Sequence, residues 1–255
     1  MKKIKKHKKI GLALGGGAVL GAAHIGVLKA LQEHNITINF VAGTSIGAFI
    51  SALFAFGKTW QEIDKITHDL NWLDVSSISL FQSGLLSNKK LGKLLEENIG
   101  NVSFEEAEIP IAMVATDITS GEKVIIDKGN IAEGVMASTC IPGIFVPVEM
   151  NDRLLVDGGI VENVPVSPLK EMGADIIIAV DLNTEYAHKK PENIIEVLLR
   201  SFEFTLKTAT ELQTAQVDIL IKPDLSEFNM VDINQAADLI EKGYLEANRI
   251  LEKVT

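Results

Sequence analysis

Cysteine is almost missing: Cys140 is the single thiol among 255 residues, which removes an internal disulfide framework and a zinc cage built on cysteines. A reducing cytoplasm is the expected location. Cationic charge is also short outside the first nine residues. Six of the 24 Lys and Arg stand there (Lys2, Lys3, Lys5, Lys6, Lys8 and Lys9), so residues 10–255 set eighteen cations against 34 acids, a balance of −16 within a net −10. Such a body repels a polyphosphate, and nucleic acid is not an expected partner. The chain shows no repeat and no Pro- or Ser-rich linker, so residues 1–9 read as a flexible basic tail and 10–255 as a single domain. Weak contact of that tail with an anionic membrane is one reading; a solvated terminus is the blander one. At 47 % apolar and 23 % charged, the disordered classes are excluded.

Uninterrupted apolar spans are lacking too. The lysines followed by Ile10–Ala23 imitate a signal peptide, but Gly11, Gly15, Gly16, Gly17 and Gly21 interrupt the run, and it continues into an amphipathic helix pattern. Phe40–Gly57 is about one membrane span long, yet it holds Gly43, Thr44, Ser45, Gly47 and Ser51, so a soluble protein is expected.

Short buried-strand patterns alternate with helical ones. Strands are expected at Ile10–Leu14, Asn39–Gly43, Ile109–Asp117, Lys123–Asp127, Arg153–Val156, Asp175–Leu182 and Val217–Ile221. Helices are expected from Gly21 onward, over about Ile46–Phe56, and over Trp60–Leu70, Lys89–Ile99, Glu192–Thr214 and Gln235–Lys253. This alternation implies an α/β fold, a three-layer α/β/α arrangement with a central, mostly parallel sheet.

Gly43-Thr44-Ser45-Ile46-Gly47 lies between an apolar strand and a small-residue helix. In that context G-x-S-x-G forms a tight turn that presents Ser45 to the helix N-terminus; a plain N-cap is the ordinary alternative. Leu14-Gly15-Gly16-Gly17-Ala18-Val19-Leu20-Gly21 joins the first strand to the first helix. It fits neither a dinucleotide fingerprint, since Leu20 occupies the third glycine's place, nor a phosphate loop, since Gly-Lys-Ser/Thr is missing. An oxyanion hole or a simple turn remains. Histidine is scarce. Of His7, His24, His34, His68 and His188, only His188 follows in the order a Ser–Asp–His triad requires, and no histidine stands on a turn built to hold it. Asp157, at the end of a short strand and followed by Gly158 and Gly159, is better placed, and burial would strengthen it as a base.

Taken together, Gly15-Gly16-Gly17, Gly43–Gly47 and Asp157-Gly158-Gly159, with Ala137–Pro147 ahead of the aspartate, resemble the patatin-like phospholipase family from about Ile10 to Asp181. The resemblance implies a Ser45–Asp157 dyad acyl hydrolase, acting on a fatty-acyl ester or phospholipid without cofactor or metal. Backbone N–H groups around Gly15, Gly16, Gly17 and Ala18 would hold the oxyanion. Where the family loop commonly carries a basic residue, this chain has Leu20. Two rival readings stand beside it: a Ser–His–Asp esterase using His188, and a catalytically silent lipid-binding regulator. The greasy stretch Asn71–Leu91 reads as core packing or as a cap and interfacial contact.

Overall fold

The computed structural model describes residues 4, 7–68, 77–81, 84–183, 190–191, 194–215 and 217–254, with backbone alone for 77–81, 84–85, 195 and 203. In chain order the elements are β1 (Ile10–Leu14), a 3₁₀ turn (Ala18–Gly21), α1 (Ala22–Glu33), β2 (Phe40–Thr44), α2 (Ile46–Ala55), α3 (Trp60–His68), β3 (Ser77–Phe81), β4 (Gly84–Ser87) and α4 (Lys89–Ile99). Then follow β5 (Ile111–Asp117), β6 (Lys123–Ile126), α5 (Ile131–Ser138), β7 (Val148–Met150), β8 (Arg153–Asp157), α6 (Gly159–Glu162), α7 (Val166–Glu171), β9 (Ile176–Val180), α8 (Ile194–Thr214), β10 (Ile219–Ile221) and α9 (Ala236–Leu251).

The main sheet runs β10-β9-β1-β2-β5-β8-β7, with β6 also on β5. Its first half is parallel and its second antiparallel. The parallel half is buried on both faces, which is why its strands read as unbroken apolar runs rather than alternating ones. Alternate positions still separate two environments. Leu12, Leu14, Val41, Ile178 and Val180 face the main core with α1, α2 and α9. Ala13, Ala42, Ile177 and Ala179 face a smaller cluster formed with Val166 and Leu169 of α7. Small residues on that side let α7 lie close, and the two faces together make the expected three layers.

One register decides where chemistry can occur. Along β5, β6 accompanies Met113–Thr116 on one edge. On the other, β2 pairs parallel as far as Thr44 opposite Val114, and β8 pairs antiparallel beginning with Asp157 opposite Ala115. Strands β2 and β8 therefore approach from opposite directions and end nose to nose at adjacent residues of β5.

The alternating pattern overlooked α5, α6, α7 and the β3–β4 hairpin, which are too short for a periodicity to show. Of the expected tail, Ile4 donates its N–H to Val254 O, while Lys8 Nζ and the Lys9 N–H bind the Asp175 carboxylate at 3.1 and 2.9 Å. Lys2, Lys3, Lys5 and Lys6 lie outside the described residues, as do Trp72 and Leu73 of the greasy stretch. Among the described residues, no helix is long and apolar enough to cross a membrane.

Candidate active site

Ser45 is the first residue beyond β2 and caps α2 with its backbone alone; its hydroxyl makes no capping hydrogen bond. Its backbone sits at φ 55°, ψ −129°, outside the regions open to an ordinary L-residue. The turn is held in three places. The Ser45 N–H donates to Ser138 Oγ at 3.0 Å, and that hydroxyl donates onward to Val114 O at 2.7 Å. Thr44 Oγ1 donates to Glu162 O at 2.9 Å. Gly47 allows α2 to start against β1: a Cβ there would lie 2.1 Å from Leu14 O. Gly43 pairs with β5 opposite Met113, one residue before the pairing ends at Thr44. The turn leaves Ser45 7 % exposed, with its side chain in the cleft.

Asp157 is held from its backbone outward. Its N–H donates to Cys140 O at 2.8 Å, and its carbonyl accepts from Thr116 Oγ1 at 2.9 Å. Carboxylate Oδ1 accepts the Gly159 N–H at 2.8 Å, whereas Oδ2 is buried without a hydrogen-bond partner among the described residues. Burial is the main cause that pushes this carboxyl up to about 6, and the Ser45 hydroxyl and the Gly159 N–H pull against the rise. The hydroxyl is thus near enough to act on the carboxylate although no hydrogen bond of good geometry joins them, a common state for a pair awaiting substrate. Gly158 permits the sharp exit from β8, since a Cβ there would lie 2.1 Å from Val114 O.

The glycine loop divides its donors. Gly15 N–H binds Val180 O at 3.2 Å and Gly16 N–H binds Asn163 O at 3.1 Å, so two of the four expected oxyanion donors are engaged by the scaffold. Val19 N–H binds Met230 O. Among the described residues, the N–H groups of Gly17 and Ala18 have no such acceptor, and Ala18 adopts φ 50° at the head of the 3₁₀ turn. The loop is tied from behind as well: Gly15 O accepts from Nε2 of His24 at 2.8 Å. His24, in the first turn of α1, is wholly buried, and burial pulls it down to about 4, so it is neutral at pH 7 with its proton on Nε2. Leu20 is also fully buried and packs into the main core.

These groups share a narrow cleft with a cavity volume of about 20 Å³. Gly16, Gly17, Ala18, Ser45, Asp157, Asn163 and Asn183 form its polar part; Ile141, Leu199, Phe202, Leu206 and Met230 form its apolar wall. A larger cavity of about 230 Å³ beyond Ala18, lined by Val19, Ile46, Ile50 and His68 among others, contains neither Ser45 nor Asp157. Ser138, Asn163 and Asn183 were not singled out from sequence. The first two sit inside or beside recognised motifs, while Asn183 carries no local signal. None of His7, His24, His34 or His68 lines the cleft, and His188 lies outside the described residues. Among the described residues, no group of three or more His, Cys, Asp or Glu could hold a metal ion.

Fold and site define a three-layer α/β protein with an uncapped serine and a buried, half-paired aspartate at the carboxyl ends of two abutting strands. The sequence profile of the patatin-like phospholipases matches residues 12–170, and the chain belongs to that family. It is 36 % identical over 181 residues to an uncharacterized NTE family protein of Mycobacterium tuberculosis, covering 69 % of this chain and 49 % of that protein. A lysophospholipase of Meyerozyma guilliermondii is 25 % identical over 288 residues, covering 97 % of this chain and 20 % of the relative. Among solved structures, VipD from Legionella pneumophila matches with a TM-score of 0.68 at 16 % identity, covering 99 % of this chain and 68 % of that one. The chain spans about half the length, or less, of these sequence relatives.

Proposed function

We propose that the protein is a serine acyl hydrolase that cleaves fatty-acyl esters of the phospholipid or lysophospholipid class through a Ser45–Asp157 dyad. The observation that carries this reading is the nose-to-nose meeting of β2 and β8, which leaves the Ser45 hydroxyl and the unpaired Asp157 Oδ2 in one cleft. Ser45 Oγ attacks the ester carbonyl as Asp157 takes its proton. The carbonyl electrons move onto oxygen, where the N–H groups of Gly17 and Ala18 receive the charge. Collapse of this intermediate expels the alcohol, protonated by Asp157, and leaves an acyl-serine. Asp157 then deprotonates a water that attacks the acyl carbon, and the fatty acid departs as the proton returns to Ser45. A carboxyl raised to about 6 is a better base than an ordinary aspartate and is still ionised at pH 7. The aliphatic wall of Ile141, Leu199, Leu206 and Met230 suits an acyl chain.

The same helix supports approach to a lipid surface. Leu199, Phe202 and Leu206 of α8 line the cleft, while another face exposes Ile194, Val197, Ser201, Phe204, Thr205, Thr208, Ala209 and Leu212, with the exposed Glu211 at its edge. Leu212 is 73 % exposed. A helix face this poor in charge, on the element that lines the cleft, fits peripheral contact with a membrane.

A fluorophosphonate probe tests the dyad. It is expected to label Ser45 stoichiometrically, with a labelling rate that rises with pH through about 6 as Asp157 ionises. No labelling, or a rate indifferent to Asp157→Asn, would sink the assignment.

A further inference from the structure

Asn183 sits three residues beyond β9, on the side of the cleft where Leu182 packs against Gly17. It is 9 % exposed, and its amide nitrogen Nδ2 is buried with no hydrogen-bond partner among the described residues, although the residue lines the cleft with Gly17, Ala18 and Ser45. A buried donor left unpaired in a native protein is unusual and costly unless something else completes it.

The residue is also firmly placed. Its N–H donates to Asp181 Oδ1 at 2.9 Å, closing a short turn, and Asp181 Oδ2 is paired with Lys222 Nζ at 3.2 Å. The Asp181 N–H is bonded in turn to Ile221 O of β10. Asn183 therefore stands on a fixed base at the carboxyl end of the parallel strands, where ligands of open α/β sheets bind.

Resting on the hydrolase reading, we infer that Asn183 is a further catalytic residue, its side-chain amide completing the anion hole alongside the N–H groups of Gly17 and Ala18. The need is physical. Gly15 and Gly16 spend their N–H groups on Val180 O and Asn163 O, so the loop alone offers two donors to an oxygen that gains a full negative charge. A third donor, already desolvated and carried on a backbone fixed by Asp181, adds to the stabilisation of that charge. Since the ligand oxygen satisfies Nδ2 only during reaction, the amide serves turnover at the expense of the resting protein's stability.

Two substitutions separate this role from a structural one. Asn183→Ala removes the amide without obstructing the cleft and is expected to lower kcat on a p-nitrophenyl ester about 100-fold, with KM changed by less than about threefold. Asn183→Leu keeps the volume and deletes an unpaired polar group, so the same loss of kcat should come with a Tm equal to or above that of the unaltered protein. Phosphonylation of Ser45 by a fluorophosphonate should slow in parallel, because its phosphoryl oxygen occupies the same hole. Should Asn183→Leu fail to fold, that result overturns the inference, since it makes the amide structural. A kcat within about threefold of the parent in either variant, or a Tm loss accompanying the drop in activity, overturns it as well. If Ser45 in the unaltered protein takes no label, the dyad itself falls and this inference with it; normal labelling with unaffected variants removes Asn183 alone.

Discussion

The ends of β2 and β8 lie together on one edge of β5, yet each keeps its reactive group poised by a different means. At Ser45 the cost is conformational, a serine backbone at φ 55°, ψ −129° where L side chains are rarely found. At Asp157 the backbone is ordinary strand and the cost is solvation, a carboxylate 1 % exposed with one oxygen unpaired. Conformational strain does not depend on pH. The solvation cost exists only while the carboxyl is ionised. A nucleophile needs direction and a base needs proton affinity, and the two strand ends supply these separately.

The largest expected effect is on turnover, where the two ends act as one unit. Ser45→Ala and Asp157→Asn should each reduce kcat on a short-chain ester by about 10⁴-fold or more, and the double variant should be little worse than either single one. Losses that multiply in the double variant would mean the residues act independently. In stability the ends should part. Asp157 has a folded pKa of about 6 against about 4 unfolded, so the folded protein binds the extra proton between those values and loses stability as pH rises through that window. Asp157→Asn removes the loss and should stabilise the protein at pH 7 by roughly 2–3 kcal/mol in urea titrations, with the gain gone at pH 4. An equal difference at both pH values would contradict the solvation account. At the other end, Ser45→Gly should exceed Ser45→Ala in stability by about 1 kcal/mol, because only glycine occupies that backbone region without strain. This difference should be the same at pH 4 and pH 7.

Local features were well resolved in the sequence, and relations between distant segments were not. β1 falls at Ile10–Leu14 as read, and β2 and β9 lie within two residues of their expected limits, because buried runs ended by glycine or charge declare themselves locally. Both ends of the proposed dyad stood out for the same reason. What no local pattern conveys is that Thr44 and Asp157 stop at adjacent residues of β5, a fact of register between strands more than 100 residues apart. Nor does the glycine loop reveal which N–H groups are spent, since the acceptors Val180 O and Asn163 O lie far along the chain. The roles of Ser138 and His24 are not written in a local pattern: Ser138 bridges Ser45 N–H and Val114 O from distant strands, and His24 reaches back nine residues to Gly15 O.

The smallest effect sharpens the comparison further, because His24 opposes Asp157. Burial holds His24 down to about 4, below its ordinary 6.5, so the unfolded chain binds a proton that the folded protein refuses. Its contribution to stability is complete above about pH 6.5 and is lost as pH falls toward 4, the reverse of the trend from Asp157. Each group acts with a slope of up to about 1.4 kcal/mol per pH unit, so between about pH 4 and 6 they largely cancel. Removing one exposes the other. Relative to the unaltered protein, Asp157→Asn should show stability climbing more steeply with pH across that window. His24→Gln, whose amide can still donate to Gly15 O, should tilt the profile the opposite way. Parallel profiles for all three proteins would show that neither group is held away from its ordinary titration, and the division between strain at one strand end and desolvation at the other would fail at the carboxylate.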